Sequence, residues 1–138
     1  MAEREQTNVK WIIVAVTIIG GLSAWWSLAP SSGPRTVAVA VPQTLSTAAT
    51  KGLEAFRQTC AACHGDSAGG TDKGPPLIHV IYRPGHHADG AIRKAVAFGV
   101  RQHHWPFGDM PAQPHVTGAD VDAIIAFLRE TQRANGIQ

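Results

Sequence analysis

Between Trp11 and Ala29 the chain reads WIIVAVTIIGGLSAWWSLA, nineteen residues without a charge. As a helix such a run would be about 28 Å long, close to the hydrocarbon depth of a bilayer. Trp11 stands at one end and Trp25 and Trp26 near the other, where amphipathic rings favour the headgroup layer. A helix apolar on every face must be buried all round, and the roughly 110 residues that remain cannot enclose it in a soluble core. The run is therefore read as a transmembrane anchor over 11–29. A cleaved signal peptide is the competing reading. Against it stand the length of the run, Pro30 directly after SLA, bulky Leu22 in LSA, and the distance of AVA (38–40) from the apolar core. Arg4 and Lys10 precede the run and only Arg35 follows closely, which puts residues 1–10 in the cytoplasm and the rest of the chain across the membrane.

Residues 30–45 are rich in Pro, Ser, Ala and Val and carry one charge. They read as a flexible linker of about 50–60 Å at full stretch. What remains, 46–138, is a domain small enough to need a staple or a cofactor to hold a core together. It has nine Lys/Arg and eight Asp/Glu, so there is no basic surface for nucleic acid and no phosphate-binding loop.

Three stretches of this domain have helical spacing. The first, 46–60, opens on Ser and Thr and sets Ala49, Leu53, Phe56 and Cys60 on one face. The second, 89–100, starts at Asp89 as a cap and repeats Ile92, Ala95, Val96 and Gly99. The third begins at Thr117 with Asp120 three residues on, carries Val121, Ile124, Ile125 and Leu128 on one side, and stops at Gly136. Between them lie long loops rich in Gly and Pro. The only alternating pattern, TVAVAV, falls in the linker. The domain is expected to be all-α, three to five short helices wrapped around one object.

The object is indicated by the only two cysteines, in Cys60-Ala61-Ala62-Cys63-His64. A redox-active thiol pair would sit beside a βαβ pattern, which is missing. Structural zinc needs a second knuckle of ligands, and the other histidines are not spaced as one. A disulfide gives His64 no reason to follow Cys63. Covalent haem does: thiols one helical turn apart add to the two vinyl groups, and the adjacent imidazole meets the iron. A sixth ligand is then wanted. Apart from Met1 the sole methionine is Met110, in the loop FGDMP before the last helix, and thioether ligation favours the ferrous state.

With these residues in place, the segment from about 48 to 134 resembles the class I (monohaem) cytochrome c family. Gly52 and Phe56 match the family's first-helix pattern, which crosses an aromatic on the last helix, here Phe127. The GPPL loop at 74–77 is similar to the one whose proline carbonyl accepts a hydrogen bond from the ligating histidine. The resemblance thus assigns that role to Pro75, haem packing to Leu77 and distal ligation to Met110. It implies a compact helical fold, one haem c attached through Cys60 and Cys63, and electron transfer without catalysis. The chain departs from the pattern in RQHHWPFGDMP and in having few lysines to form a docking ring.

Two loops carry paired histidines, His86-His87 and His103-His104. They read as exposed or propionate-bonding side chains, with Arg83 and Arg101 as charge partners; a second metal site such as copper, or replacement of Met110 on the iron, are the alternatives. The expected function is a one-electron carrier anchored in a bacterial inner membrane with its haem domain in the periplasm. Its partners would be a quinol-oxidising complex, a terminal oxidase or a reaction centre. The alternatives are a tightly bound cytochrome subunit of a larger oxidoreductase and a haem enzyme or sensor with a labile sixth ligand.

Overall fold

The structure, a computed structural model, describes Trp11, residues 16–21 and residues 36–138. The chain falls into two compact units, Met1–Ser32 and Gly33–Gln138. In the first, Trp11 and residues 16–21 are helical, and Trp11, Val16, Ile18 and Ile19 are exposed. Among the described residues no helix is long and apolar enough to cross a membrane; most of the expected anchor over 11–29 lies outside them.

The second unit contains four α-helices: α1 (Thr47–Thr59), α2 (Ala61–His64), α3 (Asp89–Phe98) and α4 (Gly118–Ala134), with a 3-10 turn at Val80–Tyr82. Among the described residues there is no strand, only an antiparallel bridge between Val100 and Met110. Helix α1 starts where Ser46 Oγ accepts the Ala49 N–H at 3.1 Å. Helix α4 starts at a complete capping box: Thr117 Oγ1 takes the Asp120 N–H while the Asp120 carboxylate takes the Thr117 N–H. The expected Asp89 cap is not found. Ala88 occupies the cap position of α3 without a side-chain bond, and the Asp89 carboxylate turns instead to Arg129 on α4. An exposed Arg93–Asp122 ion pair also joins α3 to α4.

Helices α1 and α4 cross to make the core. Gly52 lies directly against the Ala123–Ile124 backbone, and Phe56 meets Phe127 at a tilted 5.4 Å between ring centroids, a separation typical of a favourable aromatic pair. Both rings are fully buried, together with Ala49, Ile124 and Leu128. At the rim of the crossing, Glu130 accepts the Ser46 hydroxyl at 2.6 Å and the Ser46 N–H at 3.0 Å. The hydroxyl bond first, and the N–H bond next, hold this carboxyl below its ordinary range. A lowered carboxyl favours folding above its unfolded pKa, and that contribution disappears as pH falls through the folded value. Glu130→Gln is therefore expected to lower stability at pH 7 by less than about 1 kcal/mol, the side chain being largely solvated. It should be indistinguishable from wild type well below pH 4. Paired urea titrations at the two pH values measure this.

The expected flexible linker over 30–45 needs correcting in its second half. The alternation of TVAVAV gives one apolar face, and Val39, Val41 and Leu45 pack on the core. Val37 N–H donates to the Gly69 carbonyl at 2.8 Å. The Asn135 side chain pairs with Ala40 as a strand would, accepting its N–H at 3.0 Å and donating to its carbonyl at 2.9 Å. Residues 37–45 are a strap on the domain.

Candidate functional site

Helix α2 is one turn long and holds the CAACH motif. Cys60 closes α1 and begins α2, with the N–H groups of Cys63 and His64 on its carbonyl at 3.1 and 2.9 Å; Gly65, at φ 78°, ends the turn. The loop that follows brings Pro75 back over the motif, because the fully buried Ala68 carbonyl receives the N–H groups of Leu77 and Ile78 at 2.8 and 3.2 Å. His64 is buried, and its Nδ1 lies 2.8 Å from the Pro75 carbonyl. A carbonyl only accepts, so Nδ1 carries the proton and Nε2 keeps its lone pair. Burial lowers the pKa of this imidazole, against the Pro75 hydrogen bond that raises it. The neutral form, the one able to ligate a metal, is favoured.

His64, Cys60, Pro75, Leu77 and Met110 line one cavity of about 380 Å³, walled mostly by apolar side chains of α1, α3, α4 and the 100–110 loop. Of the residues expected to bind the haem (Cys60, Cys63, His64, Pro75, Leu77 and Met110), Cys63 alone is not on its wall; it is exposed. The Cys60 thiol is pushed up to about 11, first by burial and then by Cys63. That is the reverse of what a redox-active pair requires, since exchange needs a thiolate at neutral pH.

Met110, on the cavity wall, is held in place through its backbone. It exchanges N–H···O bonds with Val100, both 2.9 Å, and Asp109 and Gln102 brace the loop through bonds of 2.8 and 2.7 Å. Gly99, at φ 74°, ends α3 with no room for a Cβ, since its α-carbon faces the Met110 carbonyl. Any other residue would displace Met110.

The same loop supplies Trp105 to the cavity. Its Nε1 is buried without a hydrogen-bond partner. It comes near enough to the Tyr82 hydroxyl to pull that group's pKa down against the burial that raises it to about 12, but the approach falls short of hydrogen-bond geometry. An apolar cavity, an imidazole held ready at one wall and an unused indole donor fit a flat, largely apolar macrocycle bearing acceptor groups at its edge.

Two residues that the sequence reading passed over hold the opposite loop. Arg129, on α4 and almost wholly buried, donates to Asp89 (2.8 Å), the Tyr82 carbonyl (2.7 Å), Gln132 (2.7 Å) and the His87 carbonyl (2.5 Å). Gln132 donates to the carbonyls of Leu77 and Tyr82 at 3.0 and 3.1 Å. An arginine within an otherwise apolar face was the available signal. Arg83 and Arg101, expected as charge partners, are exposed and not on the cavity wall.

A helical domain with a buried, pre-oriented imidazole directly after a Cys-x-x-Cys pair, at the wall of an apolar cavity, defines a covalent haem protein. The family model described as Cytochrome c matches residues 49–132, and the chain belongs to that family. Its cofactor is one haem c attached through Cys60 and Cys63, and its chemistry is haem-based electron transfer. Comparison with curated proteins and with solved structures gave no match.

Proposed function

We propose that this protein is a one-electron carrier whose iron is held by His64 and Met110. The observation that carries the reading is that both residues line one cavity and each is held in place, His64 through its ring by Pro75 and Met110 through its backbone by the Val100 bridge. When bound, the haem supplies reversible one-electron chemistry. The chain's own part is to hold a neutral imidazole and a thioether in place, to pack Leu77 and the surrounding apolar residues against the ring, and to exclude water. No bond in a substrate is made or broken.

The oxidised protein is expected to show the weak near-infrared band of sulfur-to-iron ligation. Met110→Ala should lose it, fall in potential, and bind carbon monoxide rapidly when reduced. If wild type lacks the band, or the variant keeps it, Met110 is not a ligand.

The carrier is proposed to be anchored through residues 11–29 in a bacterial inner membrane, with the haem domain in the periplasm. Electrons would pass to or from a quinol-oxidising complex, a terminal oxidase or a reaction centre in the same membrane. The support is the uncharged run with its flanking tryptophans, together with the exposed apolar side chains at Val16, Ile18 and Ile19. A tether raises the effective concentration of any partner within reach. Removal of residues 1–35, which spares the docked strap, should release a red, soluble domain from the membrane fraction. A truncated protein still sedimenting with membranes would end the anchor reading.

A further inference from the structure

The two histidine pairs come together in space. His86 and His87 lie on the turn after the 3-10 segment, where their N–H groups bond the Arg83 carbonyl at 3.0 and 2.8 Å. His104 comes from the loop that carries Met110. The ligand atoms of His86, His87 and His104 all lie within 4.8 Å of one another, and the His103 ring centroid is 4.3 Å from that of His104. His104 stays exposed, yet shielding by the surrounding rings, followed by repulsion from His103, His87 and His86, lowers its pKa. Packing four imidazoles this way without a counter-charge is unfavourable once any of them is protonated.

The structure assigns to His86, His87 and His104 a binding site for a divalent transition cation of borderline character, Cu2+ or Zn2+, at the rim of the haem cavity. Three features carry this. First, His86 Nε2 and His104 Nε2 face each other at 3.3 Å. Two nitrogens at about 2.0–2.1 Å from one tetrahedral ion are separated by about 3.3–3.4 Å, so the pair already spans one edge of a coordination tetrahedron. Second, His87 Nδ1 lies 2.8 Å from the Ile81 carbonyl; it must donate there, leaving Nε2 as the free lone pair. A backbone carbonyl on the far nitrogen is the usual outer support of a metal-bound histidine. Third, the turn itself is held, because the His87 carbonyl is bonded by the buried Arg129 guanidinium. His103 is anchored alike, Nδ1 on the Arg101 carbonyl at 2.8 Å, and is next in line for the remaining position, which water would otherwise take. An all-imidazole set suits copper and zinc, and copper should bind more tightly. Magnesium and calcium, which prefer oxygen donors, should not compete.

The test uses the full-length haem-loaded protein, stripped with a chelator and titrated with Zn2+ against a chromophoric competitor at pH 7.5. One Zn2+ per haem is expected, displaced by Cu2+ and unaffected by millimolar Mg2+. His86→Ala and His104→Ala should each weaken zinc binding at least tenfold, while His115→Ala, outside the cluster, should not change it. Absence of a stoichiometric site, or a site that survives both cluster substitutions, overturns the assignment. Zinc stoichiometry reports on the cluster and the haem spectrum of the same samples on the iron, so the two readings fail separately.

Discussion

A Gly52→Ala protein is expected not to form a stable haem domain. The added methyl would overlap the Ala123 carbonyl and lie 2.8 Å from the Ile124 nitrogen. These are backbone atoms in the middle of α4, so the clash cannot be relieved by turning a side chain. The helices would have to move apart, and with them the Phe56–Phe127 contact and the wall of the cavity. Overpacking a well-filled core costs about 1–3 kcal/mol when side chains can adjust; with two rigid helices in contact the loss should be about 3 kcal/mol or more. That is a large share of the roughly 5–15 kcal/mol available to a small domain. Gly118→Ala is the control. Nothing lies within 4 Å of a Cβ at Gly118, and it occupies the first turn of α4, so alanine there should be neutral or mildly stabilising. Yield of haem-loaded protein and chemical denaturation decide the matter. Equal stability of the two variants would remove close α1–α4 contact as the basis of the fold.

The second large effect is expected at Arg129. Its guanidinium satisfies Asp89 and two backbone carbonyls, Tyr82 and His87, that otherwise lose a strong donor. Arg129→Met keeps much of the apolar stem but removes the fork. Deleting the donor leaves part-buried carbonyls short of a partner, at about 2–3 kcal/mol, while Asp89, 55% exposed, can turn to water. Arg129→Lys should recover only a minor part, because one ammonium cannot address groups placed around a planar fork. Thermal denaturation measures the loss, and proton exchange at the turn carrying His86 and His87 should speed up in the same variants. A methionine variant within about 1 kcal/mol of wild type would mean that the turn is held by something else.

These two sites show what could and could not be read in advance. Gly52 was legible only through the family resemblance, because with Phe56 it matches the first-helix pattern of that family. Thr117 with Asp120 was legible because a capping box is complete within four residues. Arg129 was not legible as an anchor: a single charge on an apolar face looks like a boundary until the partners, 40 and more positions away, are seen around it. Asp89 was misread for a related reason. A helix cap and a long-range ion partner want the same residue type, and only the fold shows which is used.

The chain's short-range chemistry settled the helical character of the domain, the order of its three longer helices and the attachment of haem at Cys60 and Cys63. Each depends on residues within a few positions of one another, where periodicity, capping and thiol spacing act without help from distant parts. Tertiary structure alone decided that residues 37–45 lie down on the domain and that Arg129 ties the turn at 82–89. It also decided that histidines from two separate loops share one small volume. Those outcomes rest on surfaces meeting across long stretches of chain, and no local pattern encodes which surface is met.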